Sequence, residues 1–526
     1  MRDFQLPGRS VAMSVNGMAA TSHPLASKVA IQILEQGGNA VDAAIAAAAL
    51  LNICEPQMTG LGGDCFALIK PGGEDRIIGL NGSGRAPAGL NAARLREQHN
   101  TMPTDTADAV TIPGAVAGFV KMSKDWGRSG LKTSLAPAIH YAMQGVPVSP
   151  RVAFDWANSE GNLQGDARTD YLIDGKAPAA GQLFRNPKQA EALRRIALEG
   201  HAGFYEGDVA EDMVKALQAA GGSHTLADFA ACTAEYVEPV VRQYRGHELI
   251  ELPPNGQGAI AILMLNILSH FDVAALPADS AERAHLEAEA GKLAYDARSR
   301  FISDPAKSAD YLDHMLSPET AEKLAALINM DRANDGVPAL TEAVHKDTIY
   351  LCVVDSDGMA VSLIYSIFHS FGTGLMSPDF SILFQNRGSG FTLEEGHPNE
   401  AGPGKKPMHT IIPGMLRKPG EYLMPFGVMG GQYQAYGHAR LVSNIVDYGM
   451  DPQSAMNLAR AFAYDGELAL ERGYPEAVRQ TLSAKGHAVI EAAGPIGGSQ
   501  AIRIDQDTGL LTGASDHRKD GCALGY

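Results

Sequence analysis

The sequence predicts an α/β protein built as a layered α/β/β/α sandwich. Three observations predict it. At 526 residues the chain is too long for one simple core, which suggests two to four domain-sized units or one large layered fold. Helical spacing dominates from about residue 111 to 330, and strand signals dominate the last third. No fixed-period repeat or low-complexity tract divides the chain, so both halves are expected to assemble together.

The elements follow in order. Residues 24–36 carry Leu25, Val29, Ile31 and Ile33 at helical spacing and stop at Gly37-Gly38, a suitable cap. Asn39 caps a second helix that is Ala-rich on every side, as expected of a helix buried between layers. Gly60-Leu61-Gly62-Gly63-Asp64 is a loop, and strands follow at 65–69 and 77–80 around Gly72-Gly73. Pro113-Gly114 opens a helix, and 188–198, 209–219, 283–298 and 318–328 have helical spacing. Residues 287–298 are charged on one face, expected to be solvated, and 338–346 is linker-like. A hairpin spans 348–354 and 359–367 around Asp355-Ser356-Asp357-Gly358. Strands at 422–428, 501–504 and 510–513 and helices at 434–448 and 452–461 complete the pattern.

Composition bounds the function. With 43 basic and 60 acidic residues the formal charge is −17, which argues against a nucleic-acid or anionic-membrane partner. A small acidic substrate needs only one or two well-placed arginines and remains compatible. Cys54, Cys65, Cys232, Cys352 and Cys522 are widely spaced and odd in number, which fits a reducing compartment without a disulfide framework. The N-terminus shows no secretory pattern and residues 43–51 are too few to span a bilayer, so a cytoplasmic location is expected.

Several chemistries find no motif. The Gly60–Gly63 loop precedes a strand and lacks a phosphate-cradle pattern, so close backbone packing is the better reading. The 16 histidines include no H-E-x-x-H or H-x-H, and His369, His409 and His438 show no carboxylate at ligand spacing. No metal or cofactor is therefore implied. No G-x-S-x-G elbow occurs. Gly427-Val428-Met429-Gly430-Gly431 ends a strand and precedes a helix, so its N–H groups are placed to meet a developing negative charge. On spacing alone, that reading and a purely structural one stand level.

The passages Lys346-Asp347-Thr348-Ile349-Tyr350 and Tyr365-Ser366-Ile367-Phe368-His369-Ser370-Phe371-Gly372-Thr373-Gly374 decide the class. With Gly60–Gly63, Ile112–Phe119, Lys406-Pro407, Gly430-Gly431, Gly498-Ser499-Gln500 and Gly513–Arg518, the chain resembles the gamma-glutamyltransferase family of N-terminal nucleophile hydrolases. The resemblance covers nearly the whole chain. It implies the four-layer fold of that class and a precursor that cuts itself before Thr348, giving residues 1–347 and 348–526 as two subunits of one fold. Association of two such pairs is left open. Cleavage frees the α-amine of Thr348, which near its reference pKa of about 7.7–8.0 accepts the hydroxyl proton. Gly430 and Gly431 match the family's oxyanion pair, and Ser366 stands where a threonine bonds the nucleophile's amine.

The departures bear on substrate. Phe368 replaces an asparagine, and Gly390 replaces the acidic residue that holds a substrate ammonium. His409-Thr410 replaces a serine pair, the carboxylate-binding arginine falls near Ser83 with Arg85 two residues on, and Arg387 is new. A gamma-glutamyl donor would leave its ammonium unpaired, which is costly in a partly buried pocket. The expectation is an amidohydrolase acting on a small anionic amide, oxamate first, with Arg85, Arg387, His409 and Thr410 binding it. Arg85 and Arg387 are equally readable as salt-bridge partners. The alternatives are a gamma-glutamyltransferase or glutathione hydrolase, a glutaryl acylase of the cephalosporin type, and an uncleaved binding protein.

Overall fold

The computed structural model describes residues 5, 8–334 and 348–526. Two seven-stranded antiparallel sheets form its centre. One runs Cys522–Gly525, Met18–Thr21, Ile349–Val354, Ala360–Ser366, Asp64–Lys70, Ile78–Gly82 and Glu235–Val237. The other runs Ala12–Ser14, Leu511–Ser515, Gly498–Asp505, Tyr422–Met429, Gly414–Lys418, His247–Glu251 and Val240–Tyr244. Alternating inward residues of both sheets, among them Phe66, Tyr350, Cys352, Ile364, Met415 and Ile502, meet in one buried cluster. Helices cover both outer faces. Those at Pro24–Glu35, Ala40–Cys54 and Ala115–Trp126 pack on the first sheet, and those at Gly258–Leu268 and Tyr433–Val446 on the second. The result is the predicted α/β/β/α sandwich, drawn from both ends of the chain.

Most element readings hold within a residue or two. The Asn39 side chain accepts from Asp42 N while Asp42 accepts from Asn39 N, a capping box that starts the Ala40–Cys54 helix. Every residue of that helix is buried. Two readings need correction. The helical middle also contains the Val240–Tyr244 and His247–Glu251 hairpin, whose alternating pattern around Arg245-Gly246 supplies the edge of the second sheet. The charged face at 287–298 is not solvated. Its helix, Ala281–Phe301, buries Arg283, His285, Glu287, Glu289 and Arg298. Glu287 lies between Arg283, 2.9 Å away, and Arg440, so charges that look like a surface stripe are neutralised internally. A small sheet of Ala461–Tyr464, Glu467–Leu470 and Val489–Glu491 closes over that helix. The linker-like stretch 338–346 lies outside the described residues. No helix among the described residues is long and apolar enough to cross a membrane.

Candidate active site

Strand register assembles the centre. Ile349 faces Tyr365 and Ser366 faces Asp64, so Thr348, one residue before its strand, lies opposite Ser366 at the end of three adjacent strands. Thr348 Oγ1 donates to Ser366 Oγ at 3.3 Å, and Ser366 Oγ accepts the Phe368 N–H at 2.8 Å. Gly63 lets the chain pass close by, since a Cβ there would lie 2.3 Å from the Ser366 carbonyl oxygen. The packing reading of the Gly60–Gly63 loop is thereby explained. From the opposite sheet, Gly430 and Gly431 follow Tyr422–Met429 directly, with φ of 116° and 54°.

Arg387 forms the second part of the site. Its guanidinium is fully buried, with its centre 3.9 Å from the Phe368 ring centroid. Nη1 donates to Thr410 Oγ1 at 2.9 Å, whereas Nε and Nη2 have no hydrogen-bond partner among the described residues. Burial lowers its pKa to about 9, opposed by the charge of Asp64. Asn386 Oδ1 accepts from His369 N at 3.0 Å, which ties the Arg387 segment to the loop after Ser366. At Gly390 a Cβ would lie 2.7 Å from the Met408 carbonyl oxygen. The Met408 backbone would have to shift to admit any side chain at this position.

His409 acts from beneath. Its Nδ1 accepts from Ile411 N at 3.3 Å, which leaves Nε2–H to donate to Asp64 Oδ2 at 3.1 Å. Burial, then the nearby Arg387 charge, pushes the imidazole down to about 3, so it is neutral. Burial alone would raise Asp64, but the bond from His409, the neighbouring charges and the Gln385 amide hold it below the usual carboxylate range. Asp64 Oδ1 also accepts the N–H groups of Gly84 and Gly114, each at 3.0 Å. Arg85 is not brought into this cluster. It is 49% exposed and binds Glu235 at 3.3 Å, Asp304 at 3.7 Å and the Gly404 carbonyl at 3.1 Å.

The gamma-glutamyltranspeptidase family profile matches residues 26–526. The chain belongs to this family. It is an autoprocessed enzyme of the N-terminal nucleophile type that acts on amides, and its sandwich is that of the class. It is 37% identical to a glutathione hydrolase-like proenzyme of Bacillus subtilis (strain 168), over 97% of this chain and 98% of that one. It is 34% identical to the oxamate amidohydrolase proenzyme of Klebsiella pneumoniae, over 98% and 99%. The crystal structure of a cephalosporin acylase from Bacillus halodurans superposes with a TM-score of 0.92 at 35% identity, covering 100% of this chain and 99% of that one.

Four residues of this family member's site escaped the sequence reading. Asp64 was seen only as the end of a glycine loop, and His409, its partner, is 345 residues away. Gln257 Nε2 donates to the Thr410 carbonyl at 2.7 Å and the Gly431 carbonyl at 3.1 Å, and Arg298 Nη1 holds its Oε1 at 2.9 Å. Gln434 reaches Thr348 itself, at 3.4 Å. None belongs to a local motif, so only the fold reveals them. His438, read as lacking a carboxylate, binds Glu251 at 2.7 Å, again across the fold.

The described residues contain one grouping with metal-ligand types, His285, Glu289 and His487. His285 Nδ1 and His487 Nε2 are 2.7 Å apart, closer than two nitrogens on a tetrahedral metal with bonds of about 2.0–2.1 Å. Lys292 already lies 2.6 Å from Glu289 Oε1. The two imidazoles therefore hydrogen-bond each other, and Glu289 is paired with Lys292.

Proposed function

We propose that the protein hydrolyses the amide of a short anionic acid, oxamate or a close analogue, through Thr348 as an N-terminal nucleophile. Cleavage of the bond before Thr348 yields two subunits, residues 1–347 and 348–526, and frees the α-amine that serves as base. The amine takes the Oγ proton as Oγ attacks the amide carbon. Gly430 and Gly431 N–H groups stabilise the oxyanion, and Ser366 orients the nucleophile. The amine's proton leaves with ammonia. Water, activated by the same amine, then attacks the Thr348 ester, restores the hydroxyl and releases the diacid.

The observation that carries the substrate reading is Arg387. A buried guanidinium whose Nε and Nη2 have no partner among the described residues suits a carboxylate in forked geometry. Gly390 offers no acidic partner for an ammonium, and the name of the 34% identical Klebsiella relative points the same way. Arg85 is left out, because its surface partners occupy it.

The test is a substrate panel on the cleaved enzyme, with release of ammonia, of nitroaniline or, for glutathione, of cysteinylglycine as readout. Oxamate and similar short acidic amides should exceed gamma-glutamyl-p-nitroanilide and glutathione. Better turnover of gamma-glutamyl donors than of every short acidic amide would overturn the reading. A second reading, a glutaryl-type acylase, is favoured by the likeness to the cephalosporin acylase. It shares the carboxylate requirement, and a preference for five-carbon over two-carbon acids in the same panel would select it.

A further inference from the structure

We infer that Gln434 is a catalytic residue of this site, donating an amide N–H to the Thr348 oxygen as that atom gains charge in each half of the reaction. The inference rests on the reading of Thr348 as nucleophile. Gln434 is fully buried, in the first turn of the Tyr433–Val446 helix and three residues after Gly431. Its Oε1 accepts the Ile412 N–H at 3.0 Å, which fixes the amide's orientation and leaves Nε2 as the group facing Thr348. Nε2 donates to Thr348 Oγ1 at 3.4 Å, while Oγ1 donates its own proton towards Ser366. The hydroxyl oxygen therefore receives a hydrogen bond at the atom that forms and breaks bonds to carbon.

The chemistry uses that bond twice. In acylation Oγ loses its proton to the α-amine while the new C–O bond forms, and the amide N–H stabilises the charge before the bond is complete. In deacylation the tetrahedral adduct of water expels Oγ, the C–O bond breaks, and the oxygen takes the proton back from the amine. Charge on Oγ at that moment again faces Nε2. The 3.4 Å separation is long for the ground state, and a donor that tightens as charge develops acts on the transition state more than on binding. Self-cleavage places charge on the same oxygen, so it draws on the same donor. Gln434 is also fixed by the loop it serves, since its backbone N–H donates to the Gly431 carbonyl at 3.3 Å.

The experiment compares wild type, Thr348→Ala, Gln434→Glu and Gln434→Met on a short acidic amide, with self-cleavage followed on denaturing gels. Gln434→Glu keeps an acceptor for Ile412 N–H and close to the same shape but, when ionised, donates nothing to Oγ. Its turnover at pH 8 should fall about 100-fold with KM within about 3-fold, the pattern of a lost transition-state donor. Its activity relative to wild type should rise as pH falls through the carboxyl's titration, because the protonated acid regains a donor; a merely structural role would not produce that rise. Gln434→Met, which donates at no pH, should be slow throughout, and is read alone if Gln434→Glu does not fold. Turnover of the folded variants within about 3-fold of wild type at every pH overturns the inference. If Thr348→Ala still cleaves and turns over, the nucleophile reading has failed instead, and the two outcomes are separable.

Discussion

Replacing Arg387 by Met tests the substrate pocket most directly. Among the described residues the guanidinium makes one hydrogen bond, from Nη1 to Thr410 Oγ1 at 2.9 Å, and its Nε and Nη2 nitrogens have no partner. A forked bond to a carboxylate would use the free positions. One charge-assisted hydrogen bond contributes about 1.5–3 kcal/mol, and two from one planar group are not fully additive. About 3 kcal/mol is a reasonable sum, which is roughly 150-fold in kcat/KM. Because the carboxylate is held before and during the reaction, the loss should fall mainly on KM. Methionine fills much of the space over Phe368 and removes a buried charge, so the fold should tolerate it. Lysine should restore only part of the loss, because a point charge cannot reproduce the fork. The assay is ammonia release from oxamate across a concentration series, beside gamma-glutamyl-p-nitroanilide. If Arg387→Met keeps kcat/KM for every acidic amide within about 3-fold, the pocket has been misassigned.

Thr348→Ala should remain one 55.6 kDa chain without activity, where wild type gives bands of about 37 and 19 kDa on a denaturing gel. Arg85→Met should change kcat/KM by less than about 3-fold, because its exposed ion pairs contribute about 0–1 kcal/mol and lie outside the cluster. Gly430→Ala should lower turnover by about 100-fold or more with little change in KM, since a Cβ at φ 116° would sit 2.9 Å from Gly497 Cα and displace the oxyanion loop. His409 has its folded pKa depressed to about 3 against about 6.5 unfolded, so unfolding binds a proton in that window. Stability should thus fall as pH drops from about 6.5 towards 3, and His409→Gln should remove one proton from the slope of unfolding free energy against pH.

The fold was legible where local pattern and burial agree. Asn39, the Ala-rich run behind it and the 348–367 hairpin each carry a signal within a dozen or so residues, and each is found as read. The charged face of the Ala281–Phe301 helix was misread because Glu287 pairs with Arg440 and Arg298 donates to Gln257, partners that no helical wheel displays. The site divides along the same line. Thr348, Ser366 and the glycine pair lie in contiguous motifs. The Asp64–His409, Gln257–Thr410 and Gln434–Thr348 bonds join residues 345, 153 and 86 apart, and their chemistry exists only after two sheets have been stacked. Arg85 shows the converse: of its two readings, substrate ligand and salt-bridge partner, its exposed side chain and its bonds to Glu235 and the Gly404 carbonyl suit the second.

Phe368, Arg387 and Gly390 are physically coupled. A buried arginine without compensation is expensive, and here Phe368 gives it a π face while Thr410 takes one hydrogen bond. Asp64 supplies the nearby negative charge but is already committed to His409, Gln385 and two backbone N–H groups. That commitment keeps it from closing on Arg387 as a private ion pair, for no such pair occurs among the described residues. An acid at position 390 would compete for the guanidinium, and the 2.7 Å approach of the Met408 carbonyl to the site of a Cβ excludes one. Phe368 and Gly390 therefore work together. One seats the cation, and the other brings no acid that would satisfy it from within. What remains is a positive group whose missing hydrogen bonds an incoming carboxylate can supply.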